Sequence, residues 1–432
     1  MSAVGDPELR AELETLLRNL TVGTTAIEKG TDPLSEVLRR PARLAPPLPL
    51  AAEEPAGMRI GPYRLLEEIG RGGMGVVYRA EREDDFNKIV ALKLVARPGP
   101  GWVERLRRER QLLARLEHPH IARLLDGGST DDGVLYLVME HVEGEPLSVY
   151  ARRRRLTVSQ RLELFLQICD AVAFAHRNLV IHRDIKPGNI LVTKTGEAKL
   201  LDFGIAERAD VDPAPGDSRT HAMTPSHAAP EQILGAAVGM TSDVYSLGVV
   251  LYQLLTDRLP LDIGGLSLAQ LVDVVGRRPP EPPSRCVRES DPATRDAVAA
   301  ARRTTPRRLE RRLRGELDAI VLDALQKDPE ARCPSVDRLS LDVRRFLADR
   351  PVEAFDGGRL YVLSKWVRRH RTAVALAGLA VVLLLTLGAN ELADFAKQHR
   401  NAVAVISYLE SSLEVFDPHP DVGDAKPDDA RN

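Results

Sequence analysis

Short apolar segments typical of strands occupy much of the chain between about residues 60 and 140. Four segments carry strand signals, at residues 63–68, 75–80, 89–95 and 134–140. A charged segment at residues 102–116 has helical spacing of its apolar positions and is predicted to form a helix between these strands. This part of the chain is therefore predicted to be rich in strands.

Helical spacing takes over after about residue 141. The clearest helices are predicted at residues 158–177 and 242–256, where apolar residues recur every three or four positions. A strand-rich small part before a mostly helical large part predicts an α+β fold. Residues 285–316 are crowded with Arg, Asp and Thr, so a solvated helical face or loop is the simpler interpretation, and a basic docking patch is the alternative.

Two segments before residue 60 have patterns of their own. Asp6 and Pro7 precede leucines with helical spacing, which predicts a short amphipathic helix. Residues 41–56 are rich in Pro and Ala and are predicted to form a stiff, extended linker. The first residues show no secretory signal, because they contain no long apolar core.

Residues 372–390 form one long uncharged apolar segment. At about 1.5 Å per residue, a helix of this length crosses the hydrocarbon core of a bilayer, and a buried core helix is the alternative. More cations lie before this segment than directly after it, so the preceding part is predicted to be cytoplasmic and the tail from residue 391 external. The flanking charges are Lys365, Arg368, Arg369, His370 and Arg371 before the segment, and Glu391, Asp394 and Lys397 after it.

Composition narrows the classes of function. The chain has 432 residues, of which 44% are hydrophobic and 28% charged, as expected for a globular protein of two or three folding units. Its formal net charge of −2 provides no overall positive field, so we expect no nucleic-acid partner. The three cysteines, Cys169, Cys286 and Cys333, lie far apart and form no C-x-x-C pair, so they indicate neither a disulfide framework nor a structural zinc site. A reducing compartment is therefore the simpler interpretation.

A glycine-rich segment, IGRGGMGVVY at residues 69–78, lies between the first two predicted strands. Gly70, Gly72 and Gly75 fit the pattern G-x-G-x-x-G, in which missing side chains let backbone N–H groups approach phosphate oxygens. A tight hairpin also uses glycines. Because strands flank it on both sides, the segment favours a lid over ATP rather than a dinucleotide-binding turn.

Lys93 lies among apolar neighbours in the third predicted strand. Burial of an unpaired lysine is costly, so we expect a carboxylate partner on the following helix. Glu109 is the best candidate because it shares a face with Leu106 and Leu113, and Glu104 is a poorer one. A solvated strand lysine is the simpler alternative.

The strongest chemical signal is IHRDIKPGN at residues 181–189, followed by LDFG at residues 201–204. Transfer of a γ-phosphoryl group needs a divalent metal, a cation near the phosphates and a carboxylate that orients the incoming hydroxyl. Asn189 and Asp202 offer oxygen ligands for Mg²⁺, Asp184 offers the carboxylate, and Lys186 offers the cation. Turn chemistry alone does not explain these polar residues at this spacing.

These motifs resemble those of bacterial eukaryotic-type (Hanks-type) transmembrane serine/threonine protein kinases, over about residues 60–347. The resemblance implies a bilobal fold with a small β-rich lobe and a large helical lobe. It also implies that Lys93 contacts the ATP α- and β-phosphates, that Glu109 holds Lys93, and that Met139 is the gatekeeper. The nucleotide-binding residues that it implies are Ile69, Gly70, Gly72, Gly75, Val77, Ala91, Lys93, Met139, Glu140, Val142 and Leu191.

The resemblance further implies how the helical part is held together. Glu231, in the A-P-E motif, is expected to pair with Arg332, and Asp243 to anchor the catalytic loop. His182 is expected to be a packed structural histidine, since the aspartate acts as the base in the family. His227 stands where the family usually has tyrosine, which leaves the peptide preference open.

Residues 202–231 match the activation segment of the family. Arg183 precedes the catalytic Asp184, and a phosphate on this segment is the anionic partner that such an arginine needs. Ser218 and Thr220 are the candidate acceptors, with plain loop hydroxyls as the alternative. Thr224, which bonds the catalytic Asp and Lys in the family, and Lys186 together favour serine/threonine specificity.

The sequence thus predicts a non-specific serine/threonine protein kinase that uses ATP with Mg²⁺ or Mn²⁺, acts on protein hydroxyls and autophosphorylates in trans as a homodimer. It is predicted to be a single-pass protein of a bacterial cytoplasmic membrane, with its kinase domain in the cytoplasm. A pseudokinase scaffold and a small-molecule phosphotransferase are the alternatives. The predicted segments are a helical extension (1–40), a linker (41–59), the kinase domain (60–347), a basic juxtamembrane segment (348–371), the membrane helix (372–390) and a helical then disordered tail (391–432).

Overall fold

The computed structural model describes residues 57–72, 75–84, 87–95, 116–130, 134–203 and 225–414. The predicted N-terminal helix, the linker, nearly all of the helix at 102–116 and most of the activation segment lie outside the described residues. The chain divides into two compact units: residues 1–107 with 124–141, and residues 108–123 with 142–432.

The first unit contains a six-stranded antiparallel sheet in the order β1-β2-β3-β4-β6-β5. Side chains on one face of the sheet form the core of the unit, and Tyr78, Leu92 and Val138 are among its buried members. The Tyr63 hydroxyl donates a 2.9 Å hydrogen bond to Asp126 Oδ2. The strands are β1 (Arg59–Ile60), β2 (Tyr63–Gly72), β3 (Gly75–Glu83), β4 (Asn87–Val95), β5 (Leu124–Ser129) and β6 (Leu135–Glu140).

The second unit is mainly helical and carries a small antiparallel sheet in the order β7-β8-β9. Its strands are β7 (Gly144–Pro146), β8 (Ile190–Thr193) and β9 (Ala198–Leu200). Its helices are α1 (Leu147–Arg153), α2 (Val158–Arg177), α3 (Pro230–Ile233), α4 (Met240–Thr256), α5 (Leu268–Arg277), α6 (Pro283–Glu289), α7 (Pro292–Ala300), α8 (Pro306–Leu313), α9 (Glu316–Ala324), α10 (Val336–Leu347), α11 (Gly358–Arg369) and α12 (Arg371–Glu414).

Helix α2 forms where it is predicted because both its cap and its apolar face specify it. Thr157 accepts a hydrogen bond from the Gln160 N–H at 3.3 Å, and Gln160 Oε1 accepts one from the Thr157 N–H at 3.0 Å. This reciprocal capping satisfies two N–H groups at the start of the helix. Phe165 and Ile168 lie on the side that packs into the unit, where both are buried.

The segment predicted as a solvated helical face or loop forms three short helices, α6, α7 and α8. Each begins with a proline, a residue that suits the first helical position because it has no N–H to satisfy. The arginines of residues 285–316 do not all face solvent. Arg302 is 1% exposed and makes 2.9 and 3.1 Å contacts with the Asp257 carboxylate, so this residue is an exception to the predicted solvated surface.

Helix α12 contains the predicted membrane segment and continues beyond it to Glu414. Among the described residues, it is the one helix whose length and apolar composition suit a membrane span, and its side chains are exposed almost throughout. Lys365, one of the cations that precede the apolar segment, does not face solvent. It is 4% exposed, and its Nζ lies 2.7 Å from Glu316 Oε2, because helix α11 packs this side chain against the helical unit.

Candidate active site

The first unit places its predicted nucleotide-binding residues on one face of the sheet. Val77 pairs with Lys93, and Ala91 pairs with Met139, so these four side chains share the face opposite the core. Val77, Lys93 and Met139 are half-buried there, whereas the neighbours that form the core, such as Leu92 and Val138, are buried. The register thus separates a structural face from a face that can receive a ligand.

The glycines at the end of β2 and the start of β3 differ in what they do. Gly75 has a φ of 144°, and a Cβ at this position would lie 1.8 Å from the Leu94 carbonyl oxygen, so the close approach of β3 to β4 requires glycine. A Cβ on Gly72 would meet no atom of the described residues within 4 Å. Gly72 therefore leaves open space beside the strand, as a phosphate-binding loop needs. Gly70 lies opposite Val77, and Ile69 is 46% exposed.

Three predicted residues need separate mention. Glu109, the expected partner of Lys93, lies outside the described residues. Glu140 ends β6 in the first unit, opposite Val90. Val142 and Leu191 belong to the second unit, where both are half-buried and Leu191 pairs with Pro146 between β7 and β8.

Asp243 anchors the loop that carries the candidate catalytic residues. Its Oδ2 accepts a 2.8 Å hydrogen bond from the His182 N–H, and its Oδ1 accepts one of 2.8 Å from the Arg183 N–H. His176 Nε2 donates a third bond to Oδ2 at 2.8 Å. Arg183 has a φ of 70°, a region that few residues other than glycine adopt, and the Asp243 contacts hold it there. The predicted anchoring role of Asp243 is therefore confirmed.

Replacement of Asp243 with Asn is expected to lower the free energy of unfolding by about 2 kcal/mol, because one loop N–H then faces an amide NH₂ instead of an oxygen. Thermal denaturation of the full chain in detergent measures the change. Asp337→Asn is the matched control, since this side chain is 69% exposed, and it should change stability by less than about 0.5 kcal/mol. Equal stabilities of the two variants would contradict the anchoring role.

His182 is a structural histidine, as predicted, and it is fully buried. Its Nε2 donates to the Leu201 carbonyl oxygen at 2.9 Å, and its Nδ1 accepts from the Asp184 N–H at 3.3 Å, so these contacts assign the proton to Nε2. The Phe203 ring lies 4.7 Å from the imidazole. His182 thereby links Asp184 to the residues on both sides of Asp202.

Asp184, Lys186 and Asn189 form one polar cluster on the anchored loop. Lys186 Nζ lies 2.7 Å from Asp184 Oδ2, and Asn189 Nδ2 donates to the same oxygen at 2.9 Å. Asn189 Nδ2 also donates to the Asp184 backbone carbonyl at 2.8 Å. Within the described residues, both side-chain contacts of this carboxylate use Oδ2. Oδ1 is thus the oxygen that can meet a hydroxyl group.

The residues predicted to bind the metal fit a divalent cation by their donor atoms. The two bonds from Asn189 Nδ2 direct its amide oxygen away from Asp184, and a neutral oxygen of this kind suits Mg²⁺. The Leu201 N–H donates to the Asn189 carbonyl oxygen at 2.8 Å, which brings Asp202 next to the cluster. Asp202 has a φ of 53°, a strained value that its anchored neighbours maintain.

A second buried network connects the A-P-E motif to the same loop. Arg332 donates to both oxygens of Glu231 at 2.7 and 3.0 Å, and Ser242 Oγ donates to Oε1 at 2.7 Å. Burial raises the pKa of Glu231, but the bonds from Arg332 and Ser242 outweigh burial and lower it overall. The predicted pair is therefore confirmed. Gln232 Nε2, beside Glu231, donates to the Arg183 carbonyl oxygen at 2.8 Å.

His227 occupies a buried position between two side chains, Ser226 and Gln253. Its Nδ1 lies 2.9 Å from Ser226 Oγ, and its Nε2 lies 3.2 Å from Gln253 Oε1. Burial lowers the pKa of His227, so the ring is neutral near pH 7. A neutral donor–acceptor thus lies where the family usually has a phenol.

Sequence reasoning missed His176 and Gln232, which both hold the catalytic loop in place. His176 was readable in principle, because it is a polar residue on the apolar side of the last turn of α2. Gln232 has no such signal. The regulatory candidates Ser218, Thr220 and Thr224 lie outside the described residues.

An antiparallel sheet with a glycine-rich end, followed by a helical unit that carries the Asp184 cluster, is the arrangement that defines protein kinases. Comparison with known proteins agrees, because residues 63–339 match the family model of the protein kinase domain. The chain belongs to the protein kinase family. The predicted α+β fold class is confirmed, and membership implies ATP with a divalent metal as cofactors.

The similar proteins include bacterial enzymes named as serine/threonine-protein kinases. Pkn1 from Myxococcus xanthus is 37% identical over 292 residues, which cover 66% of this chain and 38% of the relative. PknB from Mycobacterium tuberculosis is 36% identical over 301 residues, which cover 68% of this chain and 44% of the relative. The chain thus spans less than half the length of these relatives. Their similarity confirms the resemblance to bacterial eukaryotic-type serine/threonine kinases.

Proposed function

We propose that the chain is a serine/threonine protein kinase that transfers the ATP γ-phosphoryl group to protein hydroxyls. The observation that supports this most directly is the Asp184–Lys186–Asn189 cluster, held on a loop that Asp243 anchors. A pseudokinase would be expected to have lost Lys93, Asp184 or Asp202, and all three are present. The A-P-E motif and Lys186 favour a protein substrate over a small molecule.

The cluster assigns a separate task to each side chain. ATP with a divalent metal, when bound, supplies the phosphoryl group and the positive charge that neutralises it. Asp184 orients the substrate hydroxyl and accepts its proton at Oδ1, while Lys186 and Asn189 hold Oδ2. Lys186 also presents its charge beside the reacting oxygens. Preorganisation of this kind accounts for the strained backbone at Arg183.

The nucleotide and metal sites are proposed from the same pattern. Lys93, Val77, Ala91 and Met139 share the open face of the sheet and are assigned to ATP, as are the glycines at 70, 72 and 75. Glu109 is assigned to Lys93. Asn189 and Asp202 are assigned to Mg²⁺, with Mn²⁺ as the other hard cation that suits such oxygen ligands.

Replacement of Asp202 with Asn is expected to raise the Mg²⁺ concentration at half-maximal transfer by at least about tenfold, because a charged ligand becomes neutral. Metal titration of phosphate transfer measures it. Asp273→Asn, at a side chain that is 68% exposed, is the control and should leave the titration unchanged. An unaltered Mg²⁺ requirement in Asp202→Asn would remove this residue from the metal site.

The substrate class is tested by where label from γ-³²P-ATP appears. The wild-type chain is expected to label a protein mixture on serine and threonine, and to label neither tyrosine nor aminoglycoside or choline. In cells, loss of phosphoserine and phosphothreonine sites in a Lys93→Met strain would identify the substrates. Label on a small molecule instead of protein would overturn the proposal.

We also propose that helix α12 anchors the kinase in a bacterial cytoplasmic membrane, with the kinase domain in the cytoplasm. The support is the exposed apolar surface of α12, which water solvates poorly, and the cations at its start. Trans-autophosphorylation of Ser218 or Thr220 within a homodimer would add a phosphate to the activation segment. Resistance to alkaline extraction tests the first proposal, and labelling of an inactive copy by an active one tests the second.

A further inference from the structure

Helix α11, which immediately precedes the apolar helix, is attached to the helical unit by polar side chains. The Tyr361 hydroxyl donates to Glu316 Oε1 and accepts from the Val352 N–H at 2.9 Å. Lys365 Nζ lies 2.7 Å from Glu316 Oε2, and the lysine is 4% exposed. One glutamate therefore binds two residues of the helix, one turn apart.

The attachment point is itself held in place. Glu316 lies in the first turn of α9, and its side chain is 15% exposed. Asp342 accepts hydrogen bonds of 3.0 Å from the N–H groups of Glu353 and Ala354, which fixes the segment before α11. The Phe355 ring packs edge-on against Tyr361 at 5.1 Å. Rotation of α11 about its axis would break these contacts together.

The opposite side of α11 is apolar and exposed, and we call it the outer side. At 100° per residue, Leu363 lies about 200° from Tyr361, so it faces away from the attached side. Polar residues of α11 thus contact the helical unit, while its apolar residues point outward. In a helix that packs on a soluble domain, the apolar residues face the domain instead. The outer side consists of Leu360 (81% exposed), Val362 (51%), Leu363 (54%), Trp366 (49%) and Val367 (37%).

The position and charge of α11 identify what covers the outer side. Only His370 separates α11 from α12, so the helix lies within one residue of the proposed membrane span. Exposed arginines at 359, 369 and 371 lie beside its outer side and at its end, and they match an anionic lipid surface. Tryptophan beside such cations is typical of the membrane–water interface.

We propose that the outer side of α11 lies in the headgroup region of an anionic membrane, and that the Glu316 contacts with Tyr361 and Lys365 fix the orientation of the helical unit towards that membrane. The inference rests on the proposed membrane anchoring by α12. Helix α11 is thus an interfacial helix that is fixed to the helical unit, not a flexible tether.

The test uses the full chain with Trp102→Phe, which leaves Trp366 as the single tryptophan. The chain is reconstituted in phosphatidylcholine–phosphatidylglycerol vesicles that carry bromine either near the headgroups or deep in the acyl chains. An interfacial helix lies about 5–10 Å into the headgroup–acyl boundary. We therefore expect shallow bromine to quench Trp366 fluorescence more strongly than deep bromine.

A control places the single tryptophan elsewhere on the same unit, with Trp102→Phe, Trp366→Phe and Leu234→Trp. Leu234 is 56% exposed and precedes α11 by more than one hundred residues, and we expect no lipid quenching there. In Lys365→Met with Glu316→Gln, the preference for shallow bromine should diminish as the helix loses its fixed rotation. Circular dichroism of this variant verifies that the helical unit remains folded.

Alkaline extraction separates the two proposals. If the chain stays in the vesicles but Trp366 is unquenched, the interfacial position is wrong while membrane anchoring stands. If the chain is extracted, anchoring fails, and the inference fails with it. Emission that is shielded from water yet insensitive to lipid bromine would indicate a second copy on the outer side and would also overturn the inference.

Discussion

Asp184→Asn is expected to reduce phosphate transfer about 1,000-fold, within the range that a positioned general base contributes. The amide oxygen of the new side chain can still accept the bonds from Lys186 and Asn189 at the Oδ2 position. The NH₂ group then replaces Oδ1, the oxygen assigned to the substrate hydroxyl. The loop is therefore expected to keep its geometry but to lose the oxygen that accepts the proton of the substrate hydroxyl. Initial rates of labelling from γ-³²P-ATP measure the effect.

Two comparisons separate lost chemistry from lost folding. ATP affinity of Asp184→Asn, measured by equilibrium binding with Mg²⁺, should equal that of the wild type, because the nucleotide residues are untouched. Asp337→Asn carries the same substitution on an exposed ion pair with Arg177 and should label at the wild-type rate. Labelling by Asp184→Asn at the control rate would rule out Asp184 as the base.

The strands show that the sequence pattern predicts where a strand lies, whereas pairing with a neighbouring strand determines where it ends. The first predicted strand ends at residue 68 because glycines follow, yet β2 continues to Gly72. Irregular register between Glu68 and Gly70 lets the strand pass the glycines while it stays paired with β3. A glycine signal indicates a local backbone freedom, whereas strand length depends on the partner strand, which local sequence does not specify.

The site shows a similar division. The identities of Asp184, Lys186 and Asn189 follow from their spacing, because these residues are close in sequence and share one loop. Which oxygen of Asp184 they occupy depends on the anchoring of that loop by Asp243, about sixty residues away. His176 enters the network only through this distant carboxylate, so its place on the apolar side of α2 indicates burial but does not identify its partner.

Lys365 shows what the position of a charge in the sequence does not specify. Its place just before an apolar segment is typical of a solvent-facing interfacial cation. Burial of a lysine requires a paired charge, and Glu316 provides it from a helix that lies some fifty residues earlier in the chain. The remaining arginines keep the cationic character of the segment, so the predicted topology does not depend on Lys365.

Glu231→Ala is expected to lower the free energy of unfolding by about 3–5 kcal/mol, because Arg332 would remain buried with its charge unpaired. For a unit of this size the loss corresponds to a decrease in melting temperature of about 10 °C. Thermal denaturation of the full chain in detergent measures it. Asp337→Ala is the control, since its exposed pair should contribute less than about 1 kcal/mol.

A double-mutant cycle identifies how much of this loss belongs to the pair. Arg332→Met removes the buried charge, so Glu231→Ala should cost less in that background than in the wild type. The pKa of Glu231 is lowered, so its stabilisation is complete above the ordinary value of 4.5 and is lost as the pH falls through the folded value. Glu231→Gln should therefore flatten the acid limb of the stability profile.

Glu231→Ala is also expected to slow phosphate transfer, through the hydrogen bond that Gln232 makes to the catalytic loop. Gln232 follows Glu231 in α3 and donates to the Arg183 carbonyl oxygen at 2.8 Å, next to Asp184. If the pair holds α3 against the catalytic loop, Glu231→Ala should slow transfer even at temperatures where the chain stays folded. Stability and rate equal to those of Asp337→Ala would show that the buried pair supports neither the fold nor the loop.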